Sequence, residues 1–69
     1  MMKSIINTII SRVVKYVTAL HRMGTYLTFD EVVQLVLDEL ERQNVRMIFD
    51  YTDYIKDEIN KRLGNKFKK

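Results

Sequence analysis

The sequence predicts an all-α fold: a small three-helix bundle that self-associates. Three observations carry that prediction. Apolar residues recur from Ile5 to Met23 at the i, i+3, i+4, i+7 spacing of one helical face. Thr28, Phe29, Asp30 and Glu31 have the form of a capping box, a signal that fixes where a second helix starts. The 69 residues contain no proline and only two glycines, Gly24 and Gly64, so few positions force a helix to stop.

The first helix is expected over residues 3–23. Its apolar stripe is Ile5, Ile6, Ile9, Ile10, Val13, Val14, Tyr16, Val17, Leu20 and Met23. The opposite face, from Lys3 to Arg22, is built of Ser, Thr, Asn, His, Lys and Arg and holds no acid. A stripe this wide must be covered by other elements. Gly24 is placed to take the left-handed conformation that closes a helix.

A second helix is expected over 29–43, with Thr28 as its N-cap. Leu27 and Val32 are placed for a hydrophobic staple, and Asp30 and Glu31 complement the positive end of the helix dipole. Phe29, Val32, Val33, Val36, Leu37 and Leu40 make its apolar face. Leu35 falls outside that stripe, which marks it as a contact for another chain or as an ordinary exposed leucine.

Gln43 and Asn44 form a weak break. Beyond them Val45, Ile48, Phe49, Thr52, Ile55, Ile59 and Leu63 line one face of a third helix, expected over 45–63. A strand as far as Tyr51 competes locally, because β-branched and aromatic residues are dense there. It has only the short segment Thr25 to Leu27 to pair with, so helix is preferred. Residues 1–64 then form one domain, and 65–69 a frayed basic tail. Met47, Tyr51 and Tyr54 lie on a shoulder outside the third stripe. They are either the wet edge of the core or, with Leu35, a dimer interface.

Composition excludes several function classes. With no cysteine and one histidine there is no disulfide, no thiolate zinc site and no thiol nucleophile. The longest apolar runs are too short to span a bilayer. The acid-free start faintly resembles a presequence in composition, but it lacks a cleavage pattern and carries the best core helix, so an intracellular, cytoplasmic protein is expected. His21, on the polar face near a helix end, reads as a solvated side chain. Asp50, Asp53 and Asp57 share a face that a hard cation could use. However, Asp50 with Arg46, Asp57 with Lys61 and Glu58 with Arg62 have the spacing of surface ion pairs, as do Asp38 and Arg42. No enzyme, metal site or cofactor is expected.

The net charge of +3 conceals segregation. Residues 1–29 hold Lys3, Arg12, Lys15 and Arg22 without an acid; residues 30–58 hold all nine acids; and residues 59–69 hold Lys61, Arg62, Lys66, Lys68 and Lys69. Two readings follow. In one, a non-enzymatic regulator, dimeric, contacts nucleic-acid phosphates through Lys3, Arg12, Lys15, Arg22, Lys66, Lys68 and Lys69. In the other, an interaction module, of the kind seen in antitoxins and phage inhibitors of host proteins, docks a protein through the acidic centre or the Met/Tyr shoulder. A plainer alternative to both is that the basic first helix complements the acidic helices inside the fold. Membrane association through the first helix ranks last, because that helix would have to leave its own core.

Overall fold

The computed structural model describes residues 2–45, 50–64 and 66–67. Over these residues the chain is a three-helix bundle: α1 (Met2–Arg22), α2 (Phe29–Arg42) and α3 (Thr52–Leu63). All three pairs of helices are in contact. The direction is up-down-up. Tyr54, early in α3, meets Asn7 of α1, and Arg62, late in α3, meets Ser11, so α3 runs parallel to α1.

The core is aliphatic. Ile6, Ile9, Ile10, Val13 and Val17 come from α1, Val32, Val33, Val36 and Leu40 from α2, and Ile55, Ile59 and Leu63 from α3. No polar or charged side chain is buried among the described residues. Any functional chemistry these residues perform is therefore performed at the surface.

Helix ends follow local chemistry. At the end of α1, Gly24 has φ +84°, the Gly24 N–H donates to the His21 carbonyl (3.1 Å), and the Thr25 N–H donates to the Leu20 carbonyl (2.9 Å). That pair of bonds is a Schellman closure. At the start of α2 the capping box forms: the Thr28 N–H donates to Glu31 Oε1 (2.9 Å), and the Glu31 N–H donates to Thr28 Oγ1 (3.1 Å).

The end of α2 corrects the expected third helix over 45–63. Asn44 takes a left-handed φ of 57°, its N–H bonds the Glu41 carbonyl (3.0 Å), and the Val45 N–H bonds the Leu40 carbonyl (2.9 Å). This is a second Schellman closure, with Asn in place of Gly. It commits the Val45 N–H to α2, which ends at Arg42, and Val45 itself is not helical. Asp50 and Tyr51 are not helical, and α3 starts at Thr52, where Asp50 Oδ1 accepts the Thr52 N–H at 2.9 Å. Val45, Asp50 and Tyr51 belong to no strand either. Met47, with Arg46, Ile48 and Phe49, lies outside the described residues.

The tail is corrected in part. Lys66 N–H bonds the Leu63 carbonyl (3.0 Å), and the Phe67 ring stands edge-on to Phe29, with centroids 5.2 Å apart. Phe67 is half-buried against the core, so residues 66 and 67 fold back onto the start of α2. Lys68 and Lys69 lie outside the described residues.

Candidate functional site

Two surfaces flank α1, one on each side. The first is a basic stripe. Ser4, Ser11, Lys15 and Arg22 are separated by seven, four and seven residues, which places them within roughly 40° on a 100°-per-residue helix. All four are exposed. The bond from Arg62 Nη1 to Ser11 Oγ (2.9 Å) brings α3 alongside this stripe, and Lys66 follows three residues beyond the end of α3. Lys15, Arg22, Arg62 and Lys66 thus belong to the end of the bundle where α1 and α3 finish.

The described ion pairs do not neutralise this stripe. They join Arg42 to Glu39 (3.4 Å), and Lys61 and Arg62 to Glu58 (both 3.4 Å). Each is three or four residues apart within α2 or α3. Among the described residues, no ion pair joins Lys3, Arg12, Lys15 or Arg22 to an acid. The sequence-predicted partners also differ: Lys61 selects Glu58 rather than Asp57, Arg42 selects Glu39 rather than Asp38, and Asp38 instead accepts from Gln34 Nε2 (2.8 Å). Rows three and four residues apart are both neighbours on a helix, and spacing alone does not choose between them. Glu58 with Arg62 forms as expected.

The basic residues singled out in the sequence do not form one surface. Lys15 and Arg22 share the stripe. Lys3 lies elsewhere, with its Nζ 5.3 Å from the centroid of the Tyr54 ring, a cation–π contact. Arg12 sits to the other side, on the rim of a groove between α1 and α2.

That groove is the second surface. Its floor and walls include Val13, Tyr16, Leu20, Leu27 and Leu35, and its edges carry Arg12 from α1 and Glu31, Asp38, Glu39 and Arg42 from α2. Leu35 is half-buried and packs on the core, yet it also lines the groove. Tyr16 is 55% exposed beside it. Sequence reasoning placed Tyr16, Ile5 and Met23 in the core stripe, and the structure places all three at the surface. The signal was available: the apolar stripe of α1 is wider than two neighbouring helices can cover.

Tyr54 and Tyr51 are engaged within the chain. The Tyr54 hydroxyl donates to Asn7 Oδ1 at 2.6 Å, and the two tyrosine rings meet edge-on at 6.4 Å. His21 is half-buried and stands edge-on to Tyr26 at 4.7 Å. No group of three or more His, Asp or Glu side chains that could hold a metal ion occurs among the described residues. No helix among them is long and apolar enough to cross a membrane.

Compared with known protein families, characterised proteins and solved structures, the chain matches none.

Proposed function

We propose that this is a small non-enzymatic regulatory or adaptor protein that contacts nucleic-acid phosphates through the exposed face of α1 and the residues that follow α3. One observation carries the reading: α1 has no acid, and among the described residues its exposed cations pair with none of the acids of α2 or α3. Cations that complemented the fold would be found in such pairs. Cations left facing water on an acid-free helix are available to phosphate, and Ser4, Thr8 and Ser11 beside them are side chains of the kind that bond phosphate and sugar oxygens. A nucleic-acid partner would place the site of action inside the cell.

The binding surface in this reading is Lys15, Arg22 and Lys66, to which Lys68 and Lys69, outside the described residues, add charge by sequence; Arg62 contributes less, being held by Glu58 and Ser11. Lys3 contributes less, because its ammonium rests on the Tyr54 ring. The short polar and cationic side chains of the stripe supply the charge and hydrogen bonds that phosphate and sugar oxygens take.

The reading is tested by titrating fluorescent duplex DNA and single-stranded RNA at low and moderate salt. Binding should weaken steeply with salt, and the slope of log K against log salt should fall by about 0.9 for each duplex phosphate contact removed. Exchange of Lys15 and Arg22 together for Glu should abolish binding with the helical circular dichroism unchanged, whereas Lys3→Glu should leave most of it. Absence of binding at low salt would overturn the reading. The interaction-module reading through the Met/Tyr shoulder has less support, since Tyr54 is already occupied by Asn7 and Lys3.

A further inference from the structure

Three large apolar side chains of α1 are exposed on one edge: Ile5 (42%), Tyr16 (55%) and Met23 (78%). They are eleven and seven residues apart, so on a helix they lie within about 20° of one another. Met23 keeps the phase of α1, since its N–H still bonds the Ala19 carbonyl at 3.3 Å. Tyr16, in the middle of this edge, lines the α1–α2 groove. An aligned apolar edge beside an apolar groove, with no element of the described chain lying over it, is an incomplete interface.

The charges on the two sides of the groove identify what completes it. The α1 side carries Arg12 and, farther out, Lys15, with no acid. The α2 side carries Asp38 and Glu39 together with Arg42, which is paired to Glu39, so that among the described residues Asp38 is in no ion pair. Arg12 and Asp38 edge the same groove without forming an ion pair in one chain. A partner that fits must therefore offer an acidic side to α1 and a basic side to α2. The chain itself offers this pair, in this order, across an apolar centre. A two-fold axis over the groove sets each surface against its own copy, so that residue i meets j and j meets i.

We propose that a second copy of this chain docks on the groove, with α1 of each copy against α2 of the other. Tyr16 and Leu35 form the centre of the interface, and Arg12 of each copy faces Asp38 of the other. Tyrosine suits such a position, being large, rigid and tolerant of partial hydration. The molecule measures 36 × 19 × 16 Å, so its long face is comparable with the roughly 800 Å² per partner of a standard interface. The pairing leaves the Lys15 and Arg22 side of α1 open. It stands independently of nucleic-acid binding, because it uses the opposite flank of the helix.

Sedimentation equilibrium from micromolar to millimolar protein, without nucleic acid, tests the proposal. The wild-type chain should show a monomer–dimer equilibrium. Tyr16→Glu, an exposed position whose exchange spares the core, should raise the dissociation constant by at least about tenfold with an unchanged helical spectrum. Arg12→Glu and Asp38→Arg should each weaken the dimer, and the doubly exchanged chain should recover it, since the pair is restored across the axis. A chain that stays monomeric at every concentration would overturn the proposal. So would a dimer that Tyr16→Glu does not weaken, or charge exchanges whose effects simply add.

Discussion

The hydroxyl of Tyr54 on α3 donates to Oδ1 of Asn7 on α1 at 2.6 Å, across 47 positions of sequence. It lies at the edge of the α1–α3 contact, next to Ile55, which is buried in the core. A single part-buried hydrogen bond contributes roughly 0.5–1.5 kcal/mol. Tyr54→Phe should lower stability by that amount. Asn7→Ala should do the same, and the double variant should cost less than the two together. Urea denaturation of all four chains measures the coupling; strict additivity would mean that the bond contributes nothing.

Much of this bundle was legible in the sequence, because its strongest determinants are local. The capping box at Thr28 and the glycine closure at Gly24 are short-range chemistry, and both form as read. The apolar periods of α1 and α2 contain every core position those helices supply, but that of α1 also takes in Ile5, Tyr16 and Met23, which lie at the surface. The start of α3 was misplaced because a left-handed Asn44 is a weaker signal than glycine, and the apolar period ran on through it. What lies across a seam was not legible at all. Asn7 with Tyr54, Ser11 with Arg62 and Phe29 with Phe67 depend on helix rotations that no single helix encodes. The groove was missed for a related reason: the stripe of α1 shows how much apolar surface exists, and only the packed bundle shows which part stays uncovered.

The capping box makes α2 the helix whose start is most sharply determined. Thr28→Ala removes the oxygen that accepts the Glu31 N–H and leaves that donor to water. The expected loss is about 1 kcal/mol, within the range of roughly 0.5–2 for N-cap exchanges. Thr28→Asp should retain most of the stability, since a carboxylate accepts the same bond and favours the helix dipole. Thermal melts of the three proteins would decide this. Equal losses for Ala and Asp would show that the cap is not what holds this end.

Phe67 ties the end of the chain to the start of α2. Its edge-on contact with Phe29 should contribute at least the ~0.5–1.5 kcal/mol of an aromatic pair. Phe67→Ala should therefore lower the denaturation midpoint, and truncation after Gly64 should lower it at least as much. Lys66→Ala, at an exposed neighbouring position, should not. A truncated chain as stable as the full one would return residues 66 and 67 to the status of a free tail.

Asp50 begins α3 in place of a side-chain cap on Tyr51. Hydrogen bonds from the Thr52 side chain and backbone hold its carboxyl below the usual carboxylate range, with Lys56 adding a smaller attraction. The sign of the consequence follows from linkage. A carboxyl whose folded pKa is depressed contributes stability that is fully present above its unfolded pKa, about 3.9, and is lost as pH falls through the folded value. Wild type should therefore exceed Asp50→Ala in stability at neutral pH, by an amount that stays constant down to about pH 5. Below that the difference should shrink and vanish in strong acid, where both chains carry a neutral group. Melting temperatures of the two proteins across the acid range measure it directly. A difference that persists unchanged at the lowest pH would mean that Asp50 acts through its shape rather than its charge.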